Sequence, residues 1–205
     1  MVRLTALILL ACPFVPAEST IDAFGLKWTV PVMADWKMED GTLHLLTPRP
    51  STQPRRPSQY ALAETPPYRK VTLEAEVQPE PAAIRNRHNS LILVYAWRDR
   101  DHFNYAHLSV DSAAHTAVHN GIFHVFGGDR VRISSLEGPA SLHDGRWHKV
   151  KLVYDGSTGR VDVWVNGETS PSLRAVDMSL GAGRVGIGSF FDMGMFRNVR
   201  LTGEQ

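Results

Sequence analysis

His143-Asp144-Gly145-Arg146-Trp147-His148 opens a stretch that runs through Val161-Asp162-Val163-Trp164-Val165-Asn166-Gly167 and Gly183-Arg184-Val185-Gly186-Ile187-Gly188 to Phe196-Arg197-Asn198-Val199-Arg200-Leu201. Apolar and polar residues alternate along it with period two, and the alternation stops at Asp155-Gly156, Thr158-Gly159 or Asn166-Gly167. Period two sends successive side chains to opposite faces of a strand, and dipeptides of this kind tolerate the positive φ of tight hairpin turns. The stretch therefore predicts antiparallel strands joined by short turns.

Outward from it, alternating or short apolar runs recur at residues 26–32, 42–46, 60–63, 71–77, 90–97, 104–110, 117–126, 130–134, 148–154, 160–165, 184–189 and 196–201. Many short runs separated by turn residues predict an all-β sandwich of two antiparallel sheets rather than a parallel sheet. No internal repeat and no second core is visible, so residues 18–205 read as one domain. Pro48, Pro50, Pro54 and Pro57, interleaved with Arg49, Arg55 and Arg56, interrupt the pattern. Such spacing gives a stiff, extended crossing without ladder hydrogen bonds. It serves either as a link between the sheets or as the wall of a groove.

The order Asp-Gly-x-Trp-His, paired strands, Val-Asn-Gly, Gly-x-Val-Gly-Ile-Gly and a final Phe-x-Asn-Val-x-Leu resembles the concanavalin A-like jelly rolls. Within them it is most similar to the laminin-G-like and 3-keto-disaccharide-hydrolase-like secreted domains of bacteria. The resemblance implies a jelly-roll fold with a concave sheet facing sugars; it does not by itself imply catalysis.

Residues 1–17 carry Arg3, an apolar run and a Val15-Pro16-Ala17 end, the layout of a secretory signal. Cys12 is the sole cysteine and lies within it. Cleavage after Ala17 predicts a secreted or periplasmic protein without thiols. The alternative takes Leu9-Leu10-Ala11-Cys12 as a lipoprotein box, with a lipid anchor at Cys12. No other segment has the length of apolar chain needed to span a bilayer. Without Arg3 the remaining chain has 21 basic and 21 acidic residues, which argues against nucleic acid as a partner.

Two constellations could carry chemistry. On Val71-Thr72-Leu73-Glu74-Ala75-Glu76-Val77, period two puts Glu74 and Glu76 on one face, about 6.6 Å apart along the strand. That separation suits the carboxylate pair of a glycoside hydrolase, and it equally suits a solvent-facing strand. The longer carboxylate pattern of concanavalin A-like glucanases is absent. The second group is Tyr95, Trp97, Arg98, Asp101, His102, Asn104, Tyr105, His107, His119 and Asn120. Tyr105 and His107 share a strand face, which is wrong for a core and right for stacking and hydrogen bonding a sugar ring. The histidines of the group also read as a hydrogen-bonded cross-strand pair that shapes the sheet.

Other features point away from further chemistry. His115, His119 and His124 do not share one strand face, and no cysteine supports them, so no transition-metal site is expected. Asp22 and Asp192 are available as oxygen ligands for a structural calcium. Trp147 reads as an anchor for the start of its strand. Gly183-x-x-Gly186-x-Gly188 lacks the context of a nucleotide loop and reads as close strand packing or a bulge. No Gly-x-Ser-x-Gly elbow is present. The expectation is a carbohydrate-binding domain with its glycan against Tyr95, Arg98, Tyr105, His107, His119 and Asn120, rimmed by the Pro48–Pro57 loop. The alternatives are a glycoside hydrolase of the 3-keto-disaccharide type and a structural or adhesion module of the cell envelope.

Overall fold

The computed structural model describes residues 19–80, 90–110, 118–134, 141–142 and 145–205. The expected signal with Cys12, His115, and the His143-Asp144 pair lie outside these residues. The described strands are β1 (Ser19–Ala23), β2 (Leu26–Val30), β3 (Trp36–Glu39), β4 (Thr42–Leu45), β5 (Gln59–Ala63), β6 (Lys70–Pro79), β7 (Ser90–Asp99) and β8 (His102–Ser109). They continue as β9 (Gly121–Phe126), β10 (Val131–Arg132), β11 (His148–Asp155), β12 (Arg160–Val165), β13 (Leu173–Val176), β14 (Arg184–Ser189) and β15 (Gly194–Glu204). One short 3-10 turn, Met33–Asp35, precedes β3.

An eight-stranded sheet has the order β1-β2-β5-β14-β7-β8-β9-β10, and a seven-stranded sheet the order β13-β12-β11-β6-β15-β4-β3. The strand pairings are antiparallel. This is the jelly-roll β-sandwich that the periodicity and the family resemblance imply. The Asp40-Gly41 and Asn166-Gly167 turns have positive φ at both residues, the geometry that matches the twist of a two-residue hairpin. Strands β1, β3 and β13 fall outside the apolar runs read from sequence, and β9 begins at Gly121, leaving His119 and Asn120 in the preceding turn.

The sheets bury different numbers of faces. On β6 and β11 burial alternates: Val71, Leu73, Ala75, Val77, Val150, Leu152 and Tyr154 enter the core, and their neighbours face outward. On β7 and β8 almost every residue is buried. Leu91, Leu93, Tyr95, Ala106 and Leu108 meet the seven-stranded sheet. Ile92, Val94, Phe103 and Tyr105 form a second apolar cluster with Tyr60, Leu62, Phe123, Val125 and Phe190 on the outer face. A strand buried on both sides loses its polar alternation, so something must roof the outer face.

The glycines of β14 let the sheet close. Val185 and Ile187 enter the core, whereas a Cβ on Gly188 would lie 2.1 Å from the Gln59 carbonyl oxygen. The register between β14 and β7 shifts between Arg184 and Gly186, beside Ala96 at φ 50. Close packing and a bulge are what the Gly-x-x-Gly-x-Gly spacing predicts.

Candidate functional site

The roof over the eight-stranded sheet includes the Pro-rich segment and Phe190. The Arg55 amide donates to Asp129 Oδ1 at 2.6 Å, and the Arg130 amide donates to the Arg55 carbonyl at 2.9 Å. Arg56 pairs with Asp101. Arg49 makes two bonds to the buried carboxylate of Asp35, at 2.9 and 2.6 Å, and its amide donates to the Phe191 carbonyl. The segment is thus tied to the elements that border the outer face.

Beneath it, Arg130 organises the polar part of the face. Its guanidinium carbon lies 4.4 Å from the ring centroids of both Phe123 and Phe190, within the range of a cation–π contact worth ~0.5–2 kcal/mol. Nη1 donates to Tyr105 Oη at 3.0 Å and approaches His107 Nδ1 at 2.9 Å, while Nη2 donates to the Val118 carbonyl at 2.6 Å. A guanidinium has donors only, so Nδ1 of His107 must accept, and the single proton of the neutral ring sits on Nε2. Burial, followed by the Arg130 charge, drives the pKa of His107 well below 6.5. Burial likewise raises that of Tyr105, so both side chains are neutral. His107 Nε2 is buried and has no hydrogen-bond partner among the described residues; within them the site holds one oriented N–H donor that is not paired.

Three of the six residues expected to bind ligand gather here. His107 lies 6.1 Å from Tyr105 and 5.1 Å from His119, measured between ring centroids. Asn120 is adjacent in the chain, but its side-chain oxygen accepts from the amides of Ser109 and Ser141. At φ 47 it shapes the turn. Tyr95 and Arg98 are elsewhere. Tyr95 is one position out of phase with Val94 and points into the core, 4.8 Å from the Tyr154 ring. Beyond the Ala96 bulge, Arg98 reaches the Leu180 carbonyl. Residues missed by the sequence reading include Phe123, Phe190, Arg130 and Arg132. Arg130-Val131-Arg132 carried a signal, since period two aligns its arginines. Arg132 donates to the carbonyls of His119 and Asn120.

Glu74 and Glu76 lie on the other sheet. They line an open groove of about 660 Å³ with Lys149, Lys151, Trp164 and Arg200. Glu76 accepts from Arg197 Nε at 2.7 Å, and this bond is the chief cause of its lowered pKa. A glycosidase acid must be protonated near neutrality, so Glu76 is poorly placed for that role. Glu74 lies 3.8 Å from Lys151 Nζ. The suggested calcium ligands do not assemble: Asp22 is exposed and pairs with Lys27, whereas Asp192 is buried and accepts from Ser90. Among the described residues, no group of three or more His, Cys, Asp or Glu could hold a metal ion. Nor, among them, is any helix long and apolar enough to cross a membrane.

Residues 20–202 match the family model described as a 3-keto-alpha-glucoside-1,2-lyase-like domain. No curated protein sequence matches the chain. Among solved structures, carbohydrate-binding module CBM66 from Bacillus subtilis is similar at a TM-score of 0.56 and 14% identity, over 91% of this chain and 92% of that one. The exoplasmic/lumenal domain of VIP36, in a Ca2+/Man3GlcNAc-bound form, aligns at 0.55 and 11%, over 83% and 82%. Lectin I-B4 from Griffonia simplicifolia, in a metal-free form, aligns at 0.52 and 13%, over 83% and 91%. At these identities the structural likeness establishes the fold alone.

Proposed function

We propose, from the premise that this chain belongs to the 3-keto-alpha-glucoside-1,2-lyase-like family, that the roofed face around His107 and Arg130 recognises a sugar. The observation that carries this reading is the buried Nε2–H of His107, which has no partner among the described residues. Its direction is set by Arg130 on the opposite ring nitrogen. A buried donor left unpaired costs about 1–3 kcal/mol, which a sugar hydroxyl or carbonyl oxygen would recover. Tyr105 and His107 are only 0% and 1% exposed, so a ligand enters by displacing part of the roof. The roof is fastened at Arg55–Asp129 and Arg56–Asp101 by polar contacts, which water can replace. Export of the domain, as the pattern at residues 1–17 suggests, fits this reading.

Binding is favoured over turnover for a specific reason. Elimination beside a ketone, the chemistry that the family description names, needs a base for the carbon-bound proton. With its lone pair facing Arg130, His107 can polarise a carbonyl, the role a neutral histidine plays in other enolising sites, but it cannot take that proton. The three carboxylates tied into the roof, Asp101, Asp129 and Asp35, are engaged by Arg56, by the Arg55 amide and by Arg49. Calorimetry with methyl α-glucoside and with its 3-keto derivative tests the reading, with product analysis by NMR. Binding of either sugar, lost in Arg130→Met and retained in Glu76→Gln, supports it. Failure of both sugars to bind the folded protein overturns it. Turnover of the keto sugar would shift the reading to a lyase at this same site.

A further inference from the structure

We propose that the outer face of the seven-stranded sheet is a second, separate carbohydrate site, which takes a neutral polysaccharide chain lying across β12, β11, β6 and β15. Among the described residues this face has no apolar cluster of its own: Glu74, Lys149 and Lys151 are exposed along it, and the alternating burial of β6 and β11 leaves it open. Two tryptophans sit on it without entering the core. Trp164 pairs across the ladder with Lys151 and lines the groove. Trp147 precedes β11 on the same side as Lys149 and lies under the Arg197 guanidinium at 4.1 Å. Both are half-buried. Trp147 and Lys151 are four positions apart, about 13 Å along a strand, and Trp164 lies one strand over, about 4.8 Å across. The lining of the groove comes from four neighbouring strands, β12, β11, β6 and β15, about 14 Å across, which suits an extended chain rather than a single ring.

The charges select the class of chain. The groove is lined by Glu74, Glu76 and Glu168 on one side of the balance and by Lys149, Lys151 and Arg200 on the other. Lys151 approaches both Glu74 and the Trp164 ring, and Glu76 is bonded to Arg197. The lining is therefore a field of alternating donors and acceptors without net charge. It complements hydroxyl groups and repels neither sign strongly, whereas an anionic polymer or nucleic acid would call for a basic excess. Aromatic rings that present an apolar face between such groups are the usual means of gripping pyranose rings. On this reading Glu74 and Glu76 accept hydrogen bonds from a glycan and do not cleave it.

The test is affinity electrophoresis of the full chain through gels containing dextran, laminarin, xylan or pullulan, with alginate as an acidic control. Retardation is expected in at least one neutral gel. Trp164→Ala should weaken it about tenfold, and Trp164→Phe should restore part of it. Trp164→Ala should leave calorimetric binding of methyl α-glucoside at the roofed face unchanged, so the failure of one site is distinguishable from the failure of the other. Thermal unfolding of each variant establishes that it is folded. Absence of retardation in all neutral gels, retardation by alginate alone, or a folded Trp164→Ala variant that migrates as the parent does would each overturn the proposal.

Discussion

Arg130 and His107 meet at 2.9 Å, Nη1 to Nδ1, so a permanent cation donates to an imidazole that must stay neutral to accept. The contact fixes the tautomer, holds the ring between Phe190 and Phe123, and leaves Nε2–H as a donor with no partner among the described residues. Replacing the guanidinium should therefore alter an electronic state as well as a packing arrangement.

Arg130→Met keeps much of the aliphatic length but removes three donated bonds and two cation–π contacts. Stability should fall by about 1–3 kcal/mol, the range for leaving buried acceptors unpaired. The His107 pKa should rise toward its ordinary value as the like charge disappears. Nitrogen-15 chemical shifts of the imidazole report both the tautomer and the titration; an unchanged Nε2–H tautomer with an unchanged pKa would show that Arg130 does not set them.

Acid should destabilise the fold through His107 in a defined window. Burial, then Arg130, holds its folded pKa well below 6.5, whereas the unfolded chain takes up a proton near that value. The native state binds fewer protons, so this contribution is intact above about pH 6.5 and is lost at ~1.4 kcal/mol per pH unit below it. Glu76, with a pKa lowered from 4.5 chiefly by Arg197, adds its loss only at lower pH. Urea unfolding between pH 7.5 and 5 should show a shallower slope for His107→Gln than for the parent; parallel slopes would remove His107 as the cause.

Asp129→Ala deletes the acceptor that holds the Arg55 amide while leaving every side chain of the sheet face in place. Modification of His107 by diethyl pyrocarbonate, read by peptide mass analysis, should become several-fold faster. Global stability should change little, because the contact is exposed. Equal rates in parent and variant would mean that the Pro-rich segment does not control access.

Gly188→Ala should be among the most damaging single changes. The new methyl group would sit 2.1 Å from the Gln59 carbonyl oxygen and 2.7 Å from Tyr60 Cα, backbone atoms that can move only by separating β14 from β5. Loss of about 1–3 kcal/mol or more is expected from chemical unfolding. By contrast, Gly128→Ala, with nothing near the added atom, should be close to neutral.

The fold was legible because its signals are local. Asp40-Gly41 and Asn166-Gly167 specify turns, and the alternation on β6 and β11 reports one wet face and one dry face. The site was legible only where a strand carried polar residues out of place, as with Tyr105 and His107. Tyr95 was misplaced because a face cannot be assigned from polarity when both sides of the strand are buried: Val94 and Tyr95 look equally suited to either. Arg130 was missed because its meaning lies in contacts with Phe123 and with Phe190, sixty residues on in the chain, and no spacing rule links them. Glu74 and Glu76 do share a face, as period two requires, but periodicity is silent about Arg197, which holds the carboxyl of Glu76 below its ordinary range.

Arg130 belongs to two structures at once. Its main chain grips the carbonyl of Arg55 in the roof, and its side chain grips Tyr105 and His107 in the floor. For the proposed sugar, affinity and access are then coupled through one residue. On that reading a sugar that draws the guanidinium away works against the residue that ties down the roof, and a change at Arg130 alters both how readily the roof opens and how tightly the sugar is held.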